Sequence, residues 1–476
     1  MDTSPIIGRK AEIETLKKLY KSNKSEFVAI YGRRRIGKTF LVKKLFADKY
    51  TFQVTGLSNA DFSQQLANFY MAITRLDQNY SGQEVPQNWL EAFDMLIGYI
   101  QKSRQSRKII FIDELPWMDT PRSDFLSALE HFWNGWASHR NDILLIGCGS
   151  AASWMINEII NNHGGLHNRV TARIHLHPFT LNEAEAFLQS KGGVYTRYEI
   201  IQLYMAIGGI PFYLENVDTA KSVEQNIDLM FFSQNGFLRS EYFNLYRSLF
   251  KKYERHMAII EALAERSRGL SRKELIKLSG LSDGGTFSNI LEELEQCGFI
   301  KRYLPFGKKL KDSLYQLTDP YSLFYLKFVK DSKADGQGAW LTQMDNPKWK
   351  AWSGYAYEYL CRYHIGNIKK HLGIGAVYTE VSAWRSTQSE HGAQIDLIID
   401  RRDRVINLCE IKFSVDPYVI SKSYAEKLRH KLSTFRMETG TTKTLFLTFI
   451  TTFGLRENKH FIGLVQNSLT MDALFD

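Results

Sequence analysis

Gly32-Arg33-Arg34-Arg35-Ile36-Gly37-Lys38-Thr39 follows the apolar run Phe27-Val28-Ala29-Ile30-Tyr31 and precedes Phe40, Leu41, Lys44, Leu45 and Phe46, whose spacing is helical. The stretch fits G-x-x-x-x-G-K-[ST] at a strand end before a helix, the context in which that pattern has a mechanism. Backbone N–H groups of such a loop point inward around phosphates, and the helix N-terminus adds partial positive charge. Residues Gly32 to Thr39 are therefore expected to bind a nucleotide, with Lys38 reaching the β- and γ-phosphates and the Thr39 hydroxyl on Mg²⁺. The expected cofactors are ATP and Mg²⁺.

A second signal lies downstream. Lys108 precedes Ile109-Ile110-Phe111-Ile112, then Asp113-Glu114, which reads as a buried strand ending in two carboxylates. Asp113 is placed to hold Mg²⁺ through water, and Glu114 to orient and deprotonate an attacking water. Strands are expected at 27–31, 50–55, 109–112, 143–147 and 174–176, alternating with helical patterns as in an α/β sheet domain. The run Ile143-Leu144-Leu145-Ile146 ends at Gly147-Cys148-Gly149-Ser150. Ligands gather at the carboxyl edge of parallel strands, so Ser150 is a candidate γ-phosphate sensor. The same residue also fits a helix N-cap for the segment after it.

The chain has 476 residues, too many for one core, and a net charge of +10. That charge favours an anionic partner, nucleic acid first and DNA before RNA. Four cysteines lie far apart with no C-x-x-C pair, which suits a reducing, cytoplasmic setting and indicates neither a zinc ribbon nor a disulfide framework. No apolar run approaches the ~20 residues needed to cross a bilayer, and the polar N-terminus reads as no signal peptide, so no membrane partner is expected. His163, His167, His175 and His177 cluster in sequence, but no cysteine or carboxylate completes a zinc site.

Five segments are expected: a nucleotide-binding core at 1–180, a helical lid at 181–250, a winged helix–turn–helix at 251–330, a linker at 331–350, and a last α/β unit at 351–476. The lid contains the break Gly208-Gly209-Ile210-Pro211. The winged helix is read from helices near 256–265 and 286–297, a Ser271-to-Glu274 capping box opening a third between them, and a strand pair flanking Lys308, Lys309 and Lys311. Ser288 and Asn289 stand where base edges would be met, while Glu292, Glu293 and Glu295 would repel phosphates.

In the last unit Gln394-Ile395-Asp396-Leu397-Ile398-Ile399-Asp400 reads as a strand, and Val405 to Lys412 as its neighbour. Asp396 and Glu410 fall on adjacent strands, with Lys412 on the same face as Glu410. Two converging carboxylates suit Mg²⁺ or Mn²⁺, and a lysine beside them can position water or stabilise developing charge. Glu358, on the aromatic helix 352–363, is a further candidate ligand. A helix at 423–435 carries Lys427, Arg429 and Lys431, suited to phosphate contacts.

The whole layout resembles the prokaryotic P-loop ATPases of the archaeal-type, STAND-related branch of the AAA+ class. The resemblance is carried by Gly32 to Thr39, by Ile112-Asp113-Glu114 and by Gly208-Gly209-Ile210-Pro211. Members often end in a winged helix and a restriction-endonuclease-like domain of the PD-(D/E)XK type. The resemblance implies that Gly8 and Arg9 lie near the adenine and that Gly209 and Pro211 contact base or ribose. It implies that Arg169 serves as an arginine finger, in cis or from a neighbouring subunit of a homo-oligomer. It also implies a nuclease-type site of Glu358, Asp396, Glu410 and Lys412. Two features depart from that pattern: no proline precedes Asp396, and Gln394, not an acid, stands two residues before it.

Two functions of different class follow. One is an ATPase that couples nucleotide state to nucleic-acid binding and metal-dependent phosphodiester cleavage. The other is a nucleotide-dependent switch whose winged helix and tail bind protein and cut nothing. A transcription regulator reading a defined site is a third.

Overall fold

The computed structural model describes residues 6–161, 164–266, 269–332, 338–343, 346–386 and 392–476. The chain divides into two compact units, Met1–Pro178 and Phe179–Asp476. His163 lies outside the described residues.

The first unit is built on a five-stranded parallel sheet of β1 (Glu26–Tyr31), β2 (Tyr50–Thr55), β3 (Lys108–Asp113), β4 (Ile143–Gly149) and β5 (Ala172–His175). The spatial order is β2-β3-β4-β1-β5. All five strands fall on the apolar runs that predict them. Their order does not follow from those runs, since β4 inserts between the phosphate-loop strand and the strand ending in Asp113. Near-continuous apolar runs fit strands covered on both faces. Helices Phe62–Thr74, Trp89–Lys102 and Phe125–Gly135 pack one face, burying Phe69, Phe93, Leu96, Phe125 and Phe132 against Phe52, Ile110 and Leu145.

The second unit opens with helices Leu181–Ser190 and Arg197–Ile207, each started by a capping box, Thr180 with Glu183 and Thr196 with Glu199. The sequence places these in a separate lid. Instead Arg197–Ile207 is buried along most of its length and packs on helices Pro320–Phe324 and Pro347–Tyr363 of the same unit. Helices Tyr253–Ala264, Arg272–Ser279 and Gly285–Gln296 follow. The Ser271–Glu274 capping box is present. A small antiparallel sheet, β6 (Leu270–Ser271), β7 (Ile300–Tyr303) and β8 (Leu314–Leu317), has the order β6-β8-β7.

Part of the expected linker is structural. Trp340 is buried, stacks on Phe232 at 5.8 Å and meets Phe324 and Phe328 edge-on. Asp228 accepts the Gly338 and Trp340 N–H groups, each at 2.7 Å. Weak periodicity hides this anchor, because one tryptophan in a turn has no period.

The C-terminal sheet orders β15 (Asn467–Leu469), β13 (Thr444–Thr451), β11 (Val405–Lys412), β10 (Gln394–Arg401) and β9 (Thr379–Arg385). β9, β10 and β11 are antiparallel, whereas β11, β13 and β15 are parallel. A minor pair, β12 (Tyr418–Val419) and β14 (Leu455–Arg456), lies apart. Among the described residues no helix is long and apolar enough to cross a membrane. The cysteines are all buried as free thiols.

Candidate active sites

In the first unit the phosphate loop turns on two glycines. Gly32 has φ 139°, and a Cβ there would strike the Leu176 carbonyl. Gly37 has φ 89° at the N-cap of helix Lys38–Phe46, a left-handed conformation that favours glycine. Ile36 is buried and ties the loop to the unit, while Arg34 is exposed. Arg33 is buried, and Arg35 holds φ 69°.

The Lys38 ammonium donates to the carbonyls of Gly32 and Arg33, each at 2.9 Å, and to Ser150 Oγ at 3.1 Å. Ser150 Oγ in turn donates to Glu114 Oε1, and the Ser150 N–H donates to Oε2 at 3.0 Å. Ser150 therefore links the lysine to the glutamate. It does not cap the following helix, whose N-cap is Ala151 with no side-chain bond. Glu114 itself sits at φ 51°, a sparsely populated conformation for a non-glycine residue.

The Thr39 hydroxyl donates to Asp113 Oδ2 at 2.7 Å, and Asp113 Oδ1 accepts the Glu114 N–H at 3.1 Å. Burial pushes the Asp113 carboxyl up, against the lowering effect of the Thr39 bond. A hydroxyl and a carboxylate meeting at one loop end are the hard oxygen ligands Mg²⁺ prefers.

Arg9 is buried, and its guanidinium donates to the Ile36 carbonyl at 3.2 Å, which ties it to the phosphate loop. Gly8 precedes it at φ 67°. Arg169 is exposed on the turn after Leu166, with its N–H on the Leu166 carbonyl at 3.0 Å. Tyr31 stacks on His175 at 4.6 Å and His175 meets His177 at 4.0 Å; burial lowers His175 to about 4.

Gly209 and Pro211 belong to the second unit. The Gly209 carbonyl accepts the Phe179 N–H at 2.7 Å, and a Cβ on Gly209 would collide with the Phe179 carbonyl. Pro211 starts helix Pro211–Glu215. Close backbone approach within this unit accounts for the glycine.

The second unit holds its own acidic centre. The register Leu397↔Cys409 puts Asp396 opposite Glu410 across β10 and β11. A bulge between Ile395 and Ile398 in the β9–β10 pairing sets Asp396 and Leu397 against one residue of β9, a device that re-aims side chains. Asp396 Oδ1 accepts from Gln394 Nε2 at 3.0 Å, which gives the glutamine its place in the site. Glu410 is buried and accepts from Lys412 and Lys431, each at 2.8 Å, and from the Tyr424 hydroxyl at 2.5 Å. Burial works to raise the Glu410 carboxyl, but the two ammonium groups outweigh it and hold it below the usual range. Asp396 is pushed up, first by burial and then by Glu410. Glu358 is pushed up to about 8, by burial and then by Asp396.

Glu358, Asp396, Glu410 and Lys412 thus interact in one cluster. Among the described residues, however, no three acidic, histidine or cysteine side chains already converge as a metal cluster. Lys431, which sequence assigns to phosphate contacts, is on Glu410 instead. Sequence reasoning misses Tyr424, Lys431 and Arg362 as residues of this site. Arg362 donates to the Asp396 carbonyl and to Gln316 Oε1, the latter at 2.7 Å. A usable signal exists: Tyr424, Leu428, Lys431 and Phe435 form one stripe of helix Lys422–Thr439, and a lysine within an apolar stripe needs a partner.

Comparison with known proteins covers the first unit and the opening helices of the second. Residues 6–217 match the family described as an ATPase domain predominantly from Archaea. An uncharacterised protein of Methanocaldococcus jannaschii is 23% identical over 414 residues, covering 86% of this chain and 87% of the relative. An uncharacterised ATP-binding protein of the same organism is 44% identical over 43 residues, 9% of this chain and 73% of its own. The Walker-type ATPase of Pyrococcus abyssi superposes with a TM-score of 0.50 at 15% identity, over 69% of this chain and 99% of that one. Residues 6–217 are accordingly similar to an archaeal-type ATPase domain, and the fold is shared with a Walker-type ATPase.

Proposed function

We propose that the protein hydrolyses ATP and couples its nucleotide state to nucleic-acid binding, DNA before RNA, with metal-dependent phosphodiester cleavage in the second unit. The observation that carries the ATPase reading is the chain of contacts from Lys38 through Ser150 to Glu114, beside the Thr39–Asp113 pair. Lys38 would bind the phosphates and Glu114 would take the proton of the attacking water. Thr39 and Asp113 would hold Mg²⁺, which neutralises charge on the transferring phosphoryl group. Ser150 would orient Glu114. Arg169, exposed on its turn, would offer its guanidinium to a nucleotide, in cis or on a neighbouring copy. Purified Lys38→Ala should show no ATP turnover in a phosphate-release assay; turnover equal to wild type would overturn the assignment.

The cleavage reading is supported by Asp396 facing Glu410 beside Lys412, with Glu358, whose carboxyl is pushed up first by burial and then by Asp396, in the same cluster. Those carboxylates are the candidate Mg²⁺ ligands, and Lys412 the group that stabilises developing charge. The three helices and small sheet of 253–317 are read as the winged helix. A non-cutting switch is the second reading. It is favoured by the two lysines already on Glu410 and by Phe306, whose N–H donates to the Ala383 carbonyl at 2.9 Å and draws the basic turn onto β9. Incubation with single- and double-stranded DNA and RNA in Mg²⁺ or Mn²⁺ separates them. Cleavage lost in Asp396→Ala excludes the switch; no cleavage and no salt-sensitive binding excludes the nuclease.

A further inference from the structure

A cavity of about 400 Å³ lies among the turn between β7 and β8, helix Pro347–Tyr363 and the β9–β10 edge, and neither reading above assigns it a role. Its walls are aromatic, with Tyr303, Tyr355 and Trp384 contributing. Two amides line it in fixed orientations. Gln316 Nε2 donates to the Tyr355 hydroxyl at 2.9 Å, and Gln394 Nε2 is held on Asp396. Lys308 and Arg385 bring positive charge to the same lining.

We propose that this cavity takes a single unstacked nucleobase, with its phosphate on Lys308 and Arg385. Aromatic faces stack any base, and the Gln394 amide, oriented by its bond to Asp396, has a second N–H and a carbonyl oxygen to offer a base edge, while Gln316 is engaged by Tyr355 and Arg362 and shapes the wall. The volume falls within the range of small-molecule sites. A packing gap between core elements would be apolar and dry; this one carries amides, cations and two carboxyls, Glu274 and Glu358. Glu274 is turned back onto its capping partner Ser271, whereas Glu358 belongs both to the cavity and to the acidic centre. A base seated here would hold its sugar–phosphate backbone beside Asp396 and Glu410. In that form the inference rests on the phosphodiester reading; a free nucleotide would satisfy the same chemistry without it.

Gly354 provides the blocking variant. It lines the cavity from helix Pro347–Tyr363, and a Cβ built on it meets nothing within 4 Å. Gly354→Phe therefore fills open space, and losing a helix glycine favours folding. The probes are 2-aminopurine riboside monophosphate and a single-stranded oligonucleotide with one internal 2-aminopurine, added to the full chain in EDTA. Wild type should change the emission of at least one probe saturably. Gly354→Phe should weaken that binding by about tenfold or more, as blocking a buried ligand site does, while Gly354→Ala and ATP turnover stay as wild type. A response to the oligonucleotide supports a polynucleotide source, and a response to the mononucleotide alone supports a free nucleotide. Oligonucleotide bound by anisotropy with both probes silent overturns the cavity site and leaves the nucleic-acid reading standing. No binding of either probe, or equal binding by Gly354→Phe, overturns the inference.

Discussion

Replacing Glu358 by glutamine should make the second unit more stable in a way that grows with pH. The folded-state affinity of Glu358 for its proton lies near 8, whereas an unfolded glutamate titrates near ~4.3. Between those values the folded chain keeps a proton that the unfolded chain has released. Stability is therefore fully present below the unfolded value and falls as pH rises toward the folded one. The slope for one proton is about 1.4 kcal/mol per pH unit, so a change from about pH 5.5 to about pH 7.5 removes about 2.7 kcal/mol. The glutamine amide holds the shape of the neutral acid and has no proton to lose. Urea unfolding of wild type and Glu358→Gln in EDTA, followed by tryptophan fluorescence, gives the difference at each pH. It should be near zero at about pH 4.5 and reach a few kcal/mol at about pH 8. The same proton must leave before a cation can sit between Glu358 and Asp396, so Mg²⁺ affinity should rise with pH over that window. A stability difference that does not change with pH would refute the reasoning, because it would mean that Glu358 ionises as freely folded as unfolded.

Other consequences can be checked separately. Ser150→Ala removes the hydroxyl joining Lys38 to Glu114 and should lower ATP turnover by about 10²-fold with nucleotide affinity nearly intact; loss of binding instead would place Ser150 on the ground state. Gly32→Ala forces a Cβ onto the Leu176 carbonyl and should abolish nucleotide binding, read by calorimetry, with the far-UV spectrum retained. His364 accepts the Leu181 N–H on Nε2 at 3.0 Å, its Nδ1 meets the Leu360 carbonyl at 3.0 Å, and burial lowers it to about 4. Protonation must break the first bond. Stability tied to His364 is thus present above about pH 6.5 and lost as pH falls toward about 4, amounting to roughly 3 kcal/mol; His364→Gln should flatten that acid limb in urea titrations.

Local chemistry in this chain is readable from sequence and long-range docking is not. The phosphate loop, the Asp113-Glu114 strand and the Ser271 cap are contiguous patterns, because a strand, a turn and a helix start are decided within a few residues. Asp396, Glu410 and Lys412 are also legible, since carboxylates inside apolar strands demand a reason. What escapes are contacts made by residues far apart in sequence. Arg9 is linked to the adenine through the resemblance alone, and its bond to the Ile36 carbonyl leaves no mark in either segment. Lys431 reads as a phosphate contact until the sheet places Glu410 under its helix. The insertion of β4 between β1 and β3 follows from tertiary pairing, which apolar runs do not encode. The bulge at Asp396 is equally silent, since it exists only relative to β9.

Phe306 is the most consequential of these omissions. The turn it occupies carries Lys308, Lys309 and Lys311, and the sequence reads it as the basic wing of a winged helix. Yet Phe306 packs against Phe435 at 5.1 Å and joins the apolar cluster of Trp384, Ile395 and Ile398. The turn cannot reach across a distant groove without withdrawing that ring from its cluster. Phe306→Ala should therefore loosen the turn from β9 at a cost of about 1–2 kcal/mol, since the ring is only half-buried. Amide exchange at 304–313 should speed up while exchange in β1 and β3 stays as wild type. If those amides exchange no faster, the ring is not what holds the turn, and the three lysines are placed by the backbone pairing of Phe306 with Ala383 alone.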